Sequence, residues 1–270
     1  MPLENAVMER IPEAPIGHRP FAEPRVVLDP KQCHFYHTID LPGGTVKGPW
    51  DMRGRFRDYV GGVDVAGKSV IDVGTASGFL SWELEKAGAD VVSFDAGSAD
   101  DIAFVPIYNQ RHVTDRAGWN ADTAAFIDRL KNSYWFAHRQ LGSRSRALYG
   151  NIYELDTYGH HFDVAVIGQV LVHLKDPVNA IAAVARVCGE TLVITEGTID
   201  STTPEMRLCA QAAHGGPGYM WWLCSVPFYR EVLTMQGFEI VRVTQDTFSC
   251  ESSHCTGQIP LTTIIARRCS

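Results

Sequence analysis

No run of eighteen apolar residues occurs in this 270-residue chain, so no membrane-spanning helix is expected. The first residues, Met1-Pro-Leu-Glu-Asn, lack the basic-then-apolar order of a secretory signal, and none is expected. Positive charge is scarce: 24 Lys and Arg against 31 Asp and Glu leave a formal net charge of −7. A nucleic-acid binder ordinarily carries a basic excess or stripe, so this balance argues against one. Base concentrates locally at Arg53, Arg55 and Arg57 and at Arg139, Arg144 and Arg146, which read as solvated faces more readily than as phosphate sites. Paired cysteine is missing too. The seven cysteines are odd in number and scattered, which points to free thiols in a reducing, cytoplasmic compartment. Cys250-x-x-x-His254-Cys255 comes nearest to metal spacing but lacks a C-x-x-C pair, and no metal is expected. No internal repeat is visible.

What is present suits one large α/β domain: the length can bury a sizeable core, and 45% hydrophobic with 20% charged residues is ordinary for a globular chain. The stretch Ser69-Val-Ile-Asp-Val-Gly-Thr-Ala-Ser-Gly-Phe79 organises the rest. Val70, Ile71 and Val73 read as a short buried strand, Gly74 to Gly78 as a tight turn, and Phe79 to Lys86 as a helix. Gly74 and Gly78 let backbone approach a ligand closely, and the helix start offers free N–H groups. A second apolar run, Val91 to Phe94, ends in Asp95, an acid placed to accept the two hydroxyls of a ribose. The plainer reading is an ordinary strand-to-helix turn and a solvated loop acid. The dinucleotide fingerprint G-x-G-x-x-G does not fit, because Ala76 stands where its second Gly belongs.

Residues 1–30, with six prolines, read as an irregular arm. Cys33 to Leu41 suggests an extended segment, Pro42-Gly43-Gly44 a turn, and Met52 to Val60 a helix stopped by Gly61-Gly62. Ala96 to Gly118 is a long connection. Ala121 to Gln140 is a predicted helix with Phe126, Leu130, Tyr134 and Phe136 on one side, a stripe that reads as core. Arg146–Tyr149, Phe162–Ile167 and Thr191–Glu196 are the third to fifth strands. Asp176 and Pro177 start a helix through Val187 as N-cap and first-turn proline. Residues 197–225 look irregular; their Gly-rich segment (Gly215, Gly216, Gly218) and aromatics read as a lid over the strand ends. Pro227–Met235 is a predicted helix, and Glu239–Thr244 and Ile259–Ala266 a closing antiparallel hairpin.

The pattern D-x-G-x-x-x-G, Asp72 to Gly78, resembles motif I of class I S-adenosylmethionine (SAM) methyltransferases, usually D-x-G-x-G-x-G. The block from Phe162 to Pro177, F-D-x₇-L-x-H-L-x-D-P, resembles a second segment of that family. The entry segment YHTIDLPGGTVKGPWDMR (residues 36–53) looks like the one preceding motif I in tRNA wobble-uridine (carboxy)methyltransferases and their relatives. The resemblance covers roughly residues 34–267. It implies a Rossmann-like α/β fold, a seven-stranded mixed sheet in the order 3-2-1-4-5-7-6 with helices on both faces. Residues 1–60 would be an N-terminal arm and cap, and 61–270 the SAM-binding domain.

For the cofactor, SAM, it implies contacts from Asp72, Gly74, Thr75, Gly78, Asp95, Ala96, Asn151, Ile152 and Gln169. Trp50 matches a cofactor-touching Trp of the wobble-uridine enzymes, and Arg53 or Arg55 would stand in for their Lys; of these two, Arg55 is taken. His173 is the candidate base, since His titrates near neutrality; its plainer role is to anchor the loop. Tyr36, His37, His214, Tyr219, Trp221 and Trp222 are the candidate substrate contacts. The carboxymethylating enzymes carry a Tyr immediately before that His and a C-terminal Arg. Here Val172 holds the Tyr position and residues 247–258 contain no Arg, so ordinary SAM is expected. The expectation is methyl transfer to a small biosynthetic acceptor, with room for a homodimer. The alternatives are wobble-uridine methylation or carboxymethylation of tRNA, and a non-catalytic regulatory partner with the same fold.

Overall fold

The computed structural model describes residues 18–102, 111–209, 220–252 and 256–269. In chain order the elements are β1 (Ile39–Leu41), β2 (Gly44–Val46), β3 (Trp50–Asp51), α1 (Phe56–Tyr59), β4 (Ser69–Val73), α2 (Phe79–Lys86), β5 (Asp90–Asp95), α3 (Arg111–Thr114) and α4 (Arg116–Leu141). Then follow β6 (Arg146–Tyr149), β7 (Phe162–Gly168), α5 (Pro177–Val187), β8 (Cys188–Glu196), β9 (Thr198–Ile199), β10 (Met206–Leu208), β11 (Trp222–Ser225), α6 (Val226–Met235), β12 (Phe238–Glu251) and β13 (Thr256–Arg268).

The main sheet runs β3-β12-β13-β8-β7-β4-β5-β6. Its parallel half, β8-β7-β4-β5-β6, and its antiparallel hairpin β12-β13 reproduce the expected order of seven strands. The addition is β3, a two-residue eighth strand on β12 that is too short to show a pattern. The central strands are apolar on both faces, as a parallel sheet covered by helices requires. Alternate residues feed two cores. Ile71, Val73, Ile167, Leu192 and Ile194 pack with α5 and α6, whereas Val70, Val164, Val166 and Val193 pack with α2 and α4. Val27, Cys33, Ile39, Trp50 and Met52 bury in that second core, so the described part of the N-terminal segment shares it with the sheet.

Helix starts follow the expected chemistry. Asp176 accepts from Asn179 N at 3.0 Å with Pro177 next, and Ser225 accepts from Phe228 N at 3.2 Å. The N-terminal segment covers the β6 edge, with Ala22 N donating to Ala147 O at 2.8 Å.

Several expectations need correction. The helix over 52–60 shrinks to Phe56–Tyr59, because Trp50 and Asp51 are taken by β12. Of the expected stripe on α4, Tyr134 and Phe136 are buried but Phe126 is exposed; Ile127, Ser133, Trp135 and Ala137 complete the buried face, which is set by the strands it covers. The hairpin strands extend well past their apolar runs. The stretch 197–225 is not irregular throughout: β9, β10 and β11 form a small sheet of their own, in the order β10-β11-β9. No helix among the described residues is long and apolar enough to cross a membrane. No group of three His, Cys, Asp or Glu side chains among them is placed to hold a metal ion.

Candidate active site at the tips of the parallel strands

The five parallel strands end on one side of the sheet, which lines up Gly74, Asp95, Gly150-Asn151, Gly168-Gln169 and Glu196. The turn after β4 is tied sideways to β5: Gly74 N and Thr75 N both donate to Phe94 O, at 2.8 and 3.1 Å. Gly74 (φ +82°) and Ala76 (φ +51°) hold left-handed backbone and remain partly exposed, so bare backbone faces outward at both. A Cβ on Gly74 would collide with the Val170 side chain. Gly78 is buried against the Trp82 ring, where a Cβ would collide, so the packing of α2 requires glycine there.

Asp72 and Thr75 likewise lie below the turn. Ser81 Oγ donates to Asp72 Oδ2 at 2.6 Å and lies 2.9 Å from Thr75 Oγ1. Burial raises Asp72 to about 6. Through Ser81, Asp72 also supports the turn from beneath.

Asp95 is partly exposed at the β5 tip. Its Oδ2 accepts from Ala76 N at 2.8 Å and its Oδ1 from Ala96 N at 2.7 Å. Each oxygen keeps a lone pair for a further donor. Burial pushes the Asp95 carboxyl up against the pull of these two amides. Lys131, from the middle of α4, donates to Gly97 O at 2.5 Å and stands 4.3 Å from the Tyr149 ring centre. Asn151 caps the following turn, its Oδ1 accepting from Tyr153 N at 3.0 Å. Ile152 is buried and packs in the core shared with α5.

Beyond β7 the chain turns sharply. Gln169 adopts φ +55°, a strained value for a residue with a side chain. A one-turn 3₁₀ segment, Leu171–His173, follows and leaves His173 half-buried. Trp221 is buried and its N donates to Val172 O at 2.7 Å, while Trp222 Nε1 donates to Leu174 O at 2.9 Å. The two tryptophans thus brace the His173 segment. His214 and Tyr219 lie outside the described residues.

Glu196, which sequence reasoning missed, closes β8 and is fully buried. Its Oε1 accepts from Val170 N and Leu171 N, both at 2.8 Å, and its Oε2 from Gln169 Nε2 at 3.3 Å. Burial raises it to about 8, the two amides opposing. Tyr59 was also missed; its hydroxyl sits where a Cβ on Gly168 would go.

From the N-terminal segment, His37 reaches the Gly turn: its N donates to Ser77 Oγ at 3.0 Å and its Nδ1 lies 3.2 Å from that oxygen. Burial lowers His37 to about 3, so it is neutral. Tyr36 packs edge-on against it, with ring centres 5.0 Å apart. Trp50 is a buried sheet residue paired with Cys250. Arg55 does not reach the turn. It is held by Asp58 at 2.7 Å and by Asp246 on β12.

Cavities of about 340 and 130 Å³ lie elsewhere, the first along Asp40, Asp51, Arg53, Arg55 and Thr247, the second between Ile39, Phe79, Trp82 and Leu141. The first is a shallow notch whose arginines are already paired with carboxylates. The chemistry gathers at the strand tips instead.

The profile of a family described as "Methyltransferase domain" matches residues 51–243. A curated relative, a tRNA U34 carboxymethyltransferase of Pseudomonas putida (strain W619), is 25% identical over 212 residues, 76% of this chain and 56% of the relative. The chain therefore spans little more than half the length of that relative. Magnesium protoporphyrin IX methyltransferase of Synechocystis PCC 6803, solved with bound S-adenosylhomocysteine (SAH), superposes with TM-score 0.50 at 16% identity over 79% of this chain and 80% of that one. A structure reported for the conversion of a disulfide bond into a thioacetal group during echinomycin biosynthesis gives TM-score 0.51 at 14% identity, over 82% and 85%. At such identities these two share the fold.

Proposed function

Because the chain belongs to the methyltransferase-domain family, and so is a SAM-dependent methyltransferase, we propose that it methylates a small-molecule acceptor at the tips of its parallel strands. The residues present fit SAM. Asp95 has acceptor capacity left on both oxygens for a ribose diol, and Gly74 and Ala76 present backbone with little side chain in the way. When bound, SAM supplies an electrophilic methyl on a sulfonium.

The chain's own groups divide the remaining work. Asp95 and the Gly74–Ala76 backbone hold the nucleoside. The amide of Asn151 offers its N–H₂ group and a second lone pair at the adenine end. Gln169 lines the methionine end. His173, on the turn braced by Trp221 and Trp222, takes the proton of an acceptor that is protonated at working pH. Much of the rate then comes from positioning.

The observation that carries the small-molecule reading is the charge around the site. The carboxyls of Asp72 and Asp95 underlie it, and Arg53, Arg55 and Arg146 of the two basic clusters are taken by carboxylates. A polyanion meets little attraction there. Cys33, Cys188, Cys209, Cys224 and Cys269 are free thiols, in keeping with a reducing cytoplasm. The Pseudomonas relative favours the second reading, wobble-uridine modification of tRNA. Labelled SAM incubated with metabolite extracts and with tRNA separates the two. Label is expected in a small-molecule product; label confined to tRNA, with binding that weakens steeply as salt rises, would favour the second. His173→Ala is expected to slow transfer at least 100-fold with SAM affinity within about twofold, and a full-rate variant would leave His173 only its anchoring role.

A further inference from the structure

Glu196 is an acid with no cationic partner among the described residues. It ends β8 at the same edge of the sheet as Asp95, yet it is wholly buried. Its three hydrogen-bond donors are neutral: the amides of Val170 and Leu171 and the side chain of Gln169. The titratable groups facing it are Tyr59 from α1, Tyr229 from α6 and Cys224 from β11, all uncharged near neutrality. No Lys or Arg among the described residues pairs with it. Such a group is costly to keep charged, because desolvation is offset only by hydrogen bonds. It is also mechanically close to the Gly turn, since Val170, whose N–H it accepts, places its side chain against Gly74.

We propose that Glu196 is the counter-charge for the cofactor's sulfonium, a carboxylate left without a cationic partner so that the site distinguishes charged SAM from neutral SAH. The proposal rests on the strand tips being the SAM site. SAM and SAH share adenine, ribose and amino-acid groups, so Asp95 treats them alike. They differ by one methyl and one positive charge. A buried carboxylate beside that charge gains from it through a low-dielectric medium, and gains nothing from the thioether. Two consequences follow. Cofactor is favoured over spent product, which speeds exchange. The Glu196 carboxylic acid also gives up its proton to the buffer as the cation binds, and does not do so when SAH binds.

The test is titration calorimetry of the full chain with SAM and with SAH at pH 7.5, each in two buffers of different ionisation heat. Asp72, raised only to about 6, is already ionised at that pH. Wild type is expected to release up to roughly three-quarters of a proton per SAM through Glu196, the protonated fraction at pH 7.5 of an acid with pKa about 8. Glu196→Gln keeps the shape and an acceptor oxygen. It is expected to abolish that release and to weaken SAM about tenfold while SAH stays within twofold. The difference between wild type and variant cancels any titration of the ligand's own amino group. Equal proton linkage in wild type and Glu196→Gln, or equal loss of affinity for SAM and SAH, overturns the proposal while leaving the SAM site intact. Wild type that binds neither ligand overturns both the proposal and the reading beneath it.

Discussion

At the scale of single residues, the site is shaped by side chains held where they are uncomfortable. Ala76 occupies φ +51° in the position where related turns carry Gly. Left-handed backbone costs a residue with a Cβ about 1 kcal/mol. Ala76→Gly is therefore expected to leave stability in urea unchanged or raise it by up to about 1 kcal/mol, and a clear loss would contradict the strain assignment. Glu196 makes a prediction of definite sign. Its folded-state value is raised from 4.5 to about 8, so the native state keeps a proton that the unfolded chain has lost across that window. The contribution of Glu196 to native stability therefore falls as pH rises from about 4.5 to 8. Denaturation of wild type and Glu196→Gln at pH 5 and pH 8.5 should show wild type losing ground to the variant at the higher pH; a constant gap would mean Glu196 is not protonated in the folded protein. Asp95 was legible in the sequence because an apolar run ends in an acid soon after a Gly turn. Glu196 obeys the same local rule, but its burial depends on α6 and β11 closing over it, and no local pattern displays that.

At the scale of elements, what could be read was what is buried on both faces. The cores of β4, β5, β7 and β8 are near-continuous apolar runs, and α5 is announced by Asp176-Pro177. What could not be read depends on partners far away in the chain. Trp50-Asp51 is a strand only because Ser249 and Cys250 pair with it. The apolar face of α4 follows the strands it covers, which leaves Phe126 outside. β10 is exposed along its length and exists through its pairing with β11. That small sheet is fastened to the His173 segment by Trp222 Nε1 on Leu174 O, a bond of 2.9 Å. Trp222→Phe should cost about 1 kcal/mol and speed amide exchange across 206–208 and 222–225. Unchanged exchange there would show that the sheet is held by other contacts.

At the scale of the molecule, the chain runs outward from β4 through β5 to β6 and then returns to lay β7 on the other side of β4, so the strand order reverses beside β4 and the tips part there. At and just below the strand tips lie three acids far apart in sequence, Asp72, Asp95 and Glu196. The acidic whole, with a formal charge of −7, and this acidic floor act together, favouring a cationic nucleoside and disfavouring a polyanion. The account depends most on the ribose contact of Asp95, and the direct measurement is the equilibrium affinity of SAM for wild type and for Asp95→Asn, with folding checked by circular dichroism. A loss of tenfold or more in a folded variant is the predicted result, the equivalent of about 1.4 kcal/mol or more from hydrogen bonds to a charged group. Equal affinity in the two proteins would contradict it.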